Sequence, residues 1–262
     1  FDYASLTKLF TATACLVLVD QGHLGLETRL VDILPEFGEH KLLGGAEDPI
    51  TKQPLPADPR WQIEPGWPWF DTSLVTIRSL LTHSSGLPAW RSVYRACGRV
   101  PHYSSLMQRA EQQQRARSGL GALLGYPFVY PPRKSYAYSD IGLMLLGEAI
   151  AAVYQSANGQ KTGHGGLSQA IDDLVTKPLG LSVHYLPDDA LRSQIAPTEL
   201  CRWRNRRLVG EVHDENAAGI GGIAGHAGLF GTARDLCRLG LFFGEEKQVL
   251  GKSRAGCPGH PG

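Results

Sequence analysis

The 262-residue chain has no excess of charge of either sign, since 26 lysines and arginines accompany 25 aspartates and glutamates for a formal net charge of +1. Without a positive field, the sequence does not support sequence-independent binding of nucleic acid, and we expect no nucleic-acid partner. With 42% hydrophobic residues, it also lacks the composition of a disordered protein. The composition therefore indicates an ordinary folded domain.

The chain has no long apolar run. Its longest, Leu9 to Val19, is interrupted by Thr11 and Thr13 and is far shorter than the roughly 20 residues that cross a bilayer, so no membrane span is predicted. The first residues, Phe1 to Tyr3, lack the basic segment, apolar region and cleavage site of a secretory signal. A cytoplasmic and a periplasmic location both stay open.

Cysteine is scarce. The five cysteines form an odd set, are widely spaced and include no C-x-x-C pair: Cys15, Cys97, Cys201, Cys237 and Cys257. This pattern fits neither a disulfide framework nor a zinc site, and we expect free thiols.

Apolar periodicity predicts a mostly helical chain. The expected helices are Ser5–Gln21 with Gly22 as its stop, Leu106–Leu124, Asp140–Gln155 capped by Asp140, Gly165–Leu179 and Thr232–Phe243. Residues 44–68 are rich in proline and predict a long ordered loop, while six glycines from Gly219 to Gly231 predict positive φ angles or close backbone approach. We expect one domain over residues 1–243 and a tail without clear structure over 244–262.

A hydroxyl and an amine lie three positions apart at the start of the first helix. Ser5 and Lys8 match the S-x-x-K arrangement of serine acyl enzymes, and this spacing puts both on one helix face. Burial disfavours the ammonium form of a lysine, so Lys8 could accept the Ser5 proton. The alternative is structural, with Ser5 capping the helix and Lys8 extending to water.

A second candidate group precedes the third predicted helix. Tyr138 could exchange protons with Ser5 and Lys8, and Asp140 could orient either of them. The alternative is a tyrosine packed at a helix entry beside a capping aspartate.

Several blocks occur in an informative order: FDYASLTK at 1–8, LLTHSSGLP at 80–88, YSDIG at 138–142, GEVHDENA at 210–217 and GHAGLFGTARDL at 225–236. Together they resemble the serine β-lactamase-related family, which includes class C β-lactamases, DD-peptidases and family VIII esterases. The last two blocks are similar to its uncharacterised and esterase-like members. The resemblance implies an α+β fold, with a helical region beside an antiparallel sheet flanked by helices.

The resemblance also implies roles for individual residues. Ser5 would be the acylated nucleophile, Lys8 its proton partner and Tyr138 the second acid/base. The candidates for substrate contact are Asp140, where many members have asparagine, together with His213, Asp214, Asn216 and His226. The implied chemistry needs no cofactor. The histidines include no H-E-x-x-H or close pair, so no metal site is predicted.

A third family motif, K-T-G or H-T-G on a core strand, is not recognisable. Lys161-Thr162-Gly163 matches the letters but follows Asp140 by only 21 residues and has no strand pattern around it. We therefore expect a chain truncated at both ends and correspondingly helical. The predicted function is hydrolysis of a small ester or amide through an acyl-enzyme, in the manner of an esterase or β-lactamase. The alternative is a non-catalytic remnant or binding module of the same fold.

Overall fold

The computed structural model describes residues 1–48, 50–56, 58–61, 69–99, 109–160 and 166–244. Within them the fold is α+β, with short antiparallel strand pairs among the helices. The α-helices are α1 (Thr7–Asp20), α2 (Leu30–Ile33), α3 (Ile77–Leu81), α4 (Arg109–Gly125), α5 (Asp140–Ala157), α6 (Gly166–Ile171), α7 (Glu215–Gly219) and α8 (Ala233–Gly244). Lys161-Thr162-Gly163 and residues 245–262 of the expected tail lie outside the described residues.

Three pairs of short strands are present in the described ranges, and each pair is antiparallel. They are β1 (His40–Leu42) with β2 (Trp69–Asp71), β3 (His184–Tyr185) with β6 (Leu229–Phe230), and β4 (Leu200–Cys201) with β5 (Arg206–Arg207). The N-terminal residues extend this arrangement, because Asp2 forms an isolated bridge with Phe230 and Tyr3 N–H donates to the Leu229 carbonyl at 2.9 Å. The chain start is thereby fixed beside β6.

Helix α1 is a central buried element. Its end is a Schellman turn, in which Gly22 has a φ of 77° and the His23 N–H donates to the Leu18 carbonyl at 2.9 Å. Phe10 of α1 is fully buried in the hydrophobic core. Helix α5 packs against α1 and also contacts α3 and α6. Among the described helices, none is both long and apolar enough to cross a membrane.

Helix α5 begins at Asp140, as predicted, but its cap differs from the prediction. The Ser139 hydroxyl accepts from the Gly142 N–H at 2.9 Å and donates to the Pro88 carbonyl at 2.6 Å, so Ser139 is the N-cap. The expectation that Asp140 caps this helix is wrong, because the residue in the extended conformation that precedes the first turn is Ser139. The Asp140 carboxylate is thereby left for another contact.

Two other predicted segments differ in detail. The predicted helix over residues 165–179 is divided into α6 and a π-helical turn at Asp172–Thr176. The glycine-rich run from Gly219 to Gly231 includes the end of α7 and the strand β6. The prediction of positive φ angles in this run is confirmed at Gly221, Gly222 and Gly228.

Candidate active site

Ser5 is exposed and follows a backbone turn that is uncommon for a residue with a side chain. Ala4 has a φ of 44°, in the left-handed region that disfavours non-glycine residues. Asp2 secures this turn, because its carboxylate accepts from the Ala4 N–H at 2.8 Å and from the His213 N–H at 2.6 Å. Burial raises the pKa of Asp2, and these two N–H groups partly oppose the increase. The nucleophile candidate thus lies on a turn held by a half-buried carboxylate.

Lys8 lies one turn further along and is buried, with 8% of its surface exposed. Its Nζ donates to Ser5 Oγ at 2.9 Å and to the His226 carbonyl at 3.3 Å, and it forms an ion pair with Asp140 Oδ1 at 2.8 Å. Ser5 lies in a 3-10 turn at Ala4–Leu6, and this turn and the first turn of α1 bring Ser5 and Lys8 together, while α5 supplies the counter-ion. The structure places Asp140 against Lys8.

Tyr138 lies on the open side of this group and is 46% exposed. The Lys8 Nζ is 4.8 Å from the centre of its ring, a cation–π distance. The His83 ring also contacts Tyr138, with its centre 4.7 Å from that of the Tyr138 ring. The aromatic ring of Tyr138 is therefore positioned by contacts with a cation and an imidazole.

His83 is a residue of this site that the sequence reasoning missed. Its Nδ1 accepts from the Ser139 N–H at 3.0 Å, and its φ of 55° lets the ring turn towards the start of α5. Partial burial lowers the pKa of His83, the nearby Lys8 charge lowers it further, and Asp140 opposes both. The signal was present in the sequence, since His83 stands in the LLTHSSGLP block that resembles the family, but no role was predicted for it.

Asp214 and His226 form a pair behind Lys8. The His226 ring is 1% exposed, and its Nε2 lies 2.8 Å from Asp214 Oδ1, which also accepts from the Ala217 N–H at 2.7 Å and so caps α7. Burial raises the pKa of Asp214, but the His226 imidazole and the Ala217 N–H outweigh it and hold that pKa well below its usual range. The pair is therefore linked to the Ser5–Lys8 group through the His226 carbonyl.

The other two substrate-contact candidates have partners outside the group around Lys8. Asn216 is fully buried, its Oδ1 accepting from the Tyr94 N–H at 3.1 Å and its Nδ2 donating to the Arg91 carbonyl at 2.9 Å. The ring of His213 contacts Thr198 Oγ1 at 3.2 Å and Glu199 at 3.2 Å. Asn216 thus joins α7 to the segment at residues 91–94, and His213 faces the segment around β4.

Three side chains of this region could together hold a metal ion. One ligand atom each from Asp140, Asp214 and His226 lies within 4.8 Å of the others. The ammonium of Lys8 already contacts the Asp140 carboxylate of this set. Among the described residues, the ammonium of Lys8 is the cation that contacts this set of three side chains, through Asp140.

The family model described as "Beta-lactamase" matches residues 1–256 of the chain. A protein of Escherichia coli strain K12 named "Putative D-alanyl-D-alanine carboxypeptidase" is 28% identical over 257 residues, which cover 91% of this chain and 49% of that protein. The chain thus spans about half the length of the curated relatives it matches.

Solved structures resemble the fold as well. The penicillin-binding protein homologue from Pyrococcus abyssi aligns with a TM-score of 0.54 at 20% identity, covering 95% of this chain and 46% of that one. The class C beta lactamase from Rhodobacter sphaeroides aligns with a TM-score of 0.51 at 18% identity, covering 91% and 50%. At these identities the likeness concerns the fold.

Proposed function

The chain belongs to the beta-lactamase family, and we propose that it is a serine acyl hydrolase whose nucleophile is Ser5. The observation that carries this proposal is the 2.9 Å contact between Lys8 Nζ and Ser5 Oγ. It lies within the roughly 2.6–3.2 Å over which a base takes a proton from a nucleophile. Exposure of Ser5 leaves the hydroxyl accessible to a substrate.

The proposed reaction has two steps. Ser5 Oγ attacks the carbonyl carbon of an ester or amide while its proton moves to the amine of Lys8, and the leaving group departs with a proton supplied from the Lys8–Tyr138 side. Water then attacks the acyl-enzyme, which releases the acid and returns the proton to Ser5. Asp140 keeps the amine beside Ser5 through its 2.8 Å ion pair.

The substrate class we propose is a small ester or amide, with an ester preferred. The blocks at 210–217 and 225–236, which are similar to esterase-like family members, support the preference. The competing substrates are a D-alanyl-D-alanine peptide, which the name of the Escherichia coli relative suggests, and a β-lactam, which the family name suggests.

A burst assay tests the proposal. Rapid mixing with p-nitrophenyl acetate is expected to release one equivalent of chromophore per protein in a fast phase, and Ser5→Ala is expected to lack that phase. Parallel assays with a chromogenic cephalosporin and a D-alanyl-D-alanine peptide rank the substrates. A folded wild-type chain with no Ser5-dependent turnover on any of them would contradict the proposal and favour the binding-module alternative.

A further inference from the structure

The buried side chain of His226 connects Lys8 to a partly buried carboxylate. Its carbonyl accepts from Lys8 Nζ at 3.3 Å, while its ring Nε2 lies 2.8 Å from Asp214 Oδ1. Because a carboxylate only accepts, Nε2 carries the hydrogen of this bond. The ring is 1% exposed. A group so deeply buried does not touch substrate, so any effect on the reaction passes through Lys8.

The segment that carries His226 is fixed between α1 and α5. Thr11 Oγ1 donates to the Gly225 carbonyl at 2.8 Å, and the Leu229 N–H donates to Thr7 Oγ1 at 3.2 Å. On the α5 side, a Cβ at Gly225 would lie 2.1 Å from the Leu143 carbonyl oxygen. The His226 carbonyl is therefore held at a set place relative to Lys8, which lies on the same helix as Thr7 and Thr11.

Asp214 adds a negative charge behind this contact. Its lowered pKa keeps it ionised, and the charge of Lys8 contributes to that lowering. Several charged or titratable groups of the described residues face Lys8. They are Asp140 at the start of α5, Tyr138 just before it, His83 after α3, Asp214 before α7, and His226 between α7 and β6. Two of these groups are carboxylates.

We propose that Asp214 and His226 form a positioning pair for Lys8: Asp214 holds the His226 ring, and the His226 carbonyl fixes the Lys8 amine beside Ser5. This role rests on the proposed function, because it presumes that Lys8 activates Ser5. It differs from the substrate contact that the family resemblance implies for both residues, since the burial of the His226 ring and the bonds of Asp214 direct them towards Lys8.

The test is the rate at which a fluorophosphonate labels Ser5. Asp214→Ala removes the acceptor that holds the His226 ring, so labelling is expected to slow about tenfold. Asp214→Asn keeps an oxygen that can accept from the ring and cap α7, and it is expected to recover most of the rate. Asp188→Ala changes an exposed capping aspartate away from Lys8 and is expected to leave the rate unchanged.

A second pair of variants tests the role of the ring. His226→Ala is expected to slow labelling about tenfold, whereas His226→Gln, whose amide N–H can still donate to Asp214, is expected to recover most of the rate. A folded Asp214→Ala protein that is labelled within twofold of the wild-type rate overturns the proposal. Should that variant not fold, a His226→Ala rate within twofold of wild type overturns it. Wild-type protein that is not labelled at any pH contradicts the proposed function itself.

Discussion

At the scale of single residues, the site depends on Lys8, whose ammonium contacts Ser5, Asp140 and the His226 carbonyl. Lys8→Met keeps the length of the side chain and removes the amine. We expect the burst rate with p-nitrophenyl acetate to fall at least about 100-fold, the usual contribution of a positioned proton-transfer group. The measurement is stopped-flow absorbance.

The control is another lysine in an ion pair. Lys177 Nζ contacts Asp173 Oδ1 at 2.5 Å on the surface, so Lys177→Met is expected to leave the burst unchanged. If both variants retained the wild-type burst rate, Lys8 would have no part in activating Ser5.

Glu148 on α5 gives a pH dependence of stability. It lines a cavity of about 490 Å³, and burial raises its pKa to about 7. The folded state then keeps a proton that the unfolded chain releases near the ordinary value of 4.5, so the free energy of unfolding falls as pH rises from about 4.5 to 7.

The corresponding variant is Glu148→Gln, which cannot ionise. We expect wild type to lose roughly 1–3 kcal/mol relative to this variant between pH 4.5 and 7. Urea unfolding at a series of pH values measures the difference. Parallel stability curves for the two proteins would show that Glu148 does not titrate in this window.

The sequence predicted that Ser5 and Lys8 lie together because their contact is local: a spacing of three residues in a helical turn puts both on one face, and the spacing is visible in the sequence. Asp140, Asp214 and His226, by contrast, each lie more than 100 residues from Lys8 along the chain. Such contacts depend on how α1, α5 and the chain before β6 pack, which no local pattern encodes. His83 stands in a block that resembles the family, but its contacts with Tyr138 and Ser139 also depend on this packing.

At the scale of elements, a variant at the start of α5 tests whether Ser139 is the N-cap of this helix. Ser139→Ala removes the hydroxyl that accepts from the Gly142 N–H and donates to the Pro88 carbonyl. We expect the free energy of unfolding to fall by about 0.5–2 kcal/mol, as for other lost caps. Ser156→Ala, an exposed site in the same helix, is the matched control and should change it by less than about 0.5 kcal/mol. Equal effects would argue against the Ser139 cap.

The crossing of α5 with the segment at Gly225 is a second element-scale test. A Cβ at Gly225 would lie 2.1 Å from the Leu143 carbonyl, so Gly225→Ala is expected to destabilise the fold by about 2–3 kcal/mol. Gly240 lies in exposed α8 with open space around it, and Gly240→Ala should stabilise by roughly 0.5–1 kcal/mol. Thermal unfolding of both variants distinguishes the two environments, and a tolerated Gly225→Ala would exclude the close crossing.

Four of the five predicted helices correspond to α1, α4, α5 and α8 because apolar periodicity and stop signals are local, whereas the helix predicted over residues 165–179 is divided. Gly22 ended α1 as expected, and the α5 boundary at Asp140 was predicted. The strands were not predicted, since pairs such as β3 with β6 are two residues long and are defined by partners distant in sequence. A two-residue strand is too short to show the alternation of apolar and polar residues that predicts a strand.

At the scale of the whole molecule, the family resemblance predicted an α+β fold, and the family match and the fold both confirm it. The chain spans about half of its curated relatives, and within this length the segments that carry Ser5, Lys8, Tyr138 and Asp140 already converge. Convergence of residues from α1 and α5 is a property of the packed core, so reactivity at Ser5 is expected to require the folded chain.

Intact-protein mass spectrometry after treatment with a fluorophosphonate, followed by peptide mapping, tests most directly whether Ser5 is the nucleophile. We expect one adduct per chain, located on Ser5. We also expect the adduct to be absent from Ser5→Ala and from urea-unfolded protein. An adduct that persists in Ser5→Ala, or folded wild-type protein that remains unmodified, would contradict the assignment of Ser5 as the nucleophile.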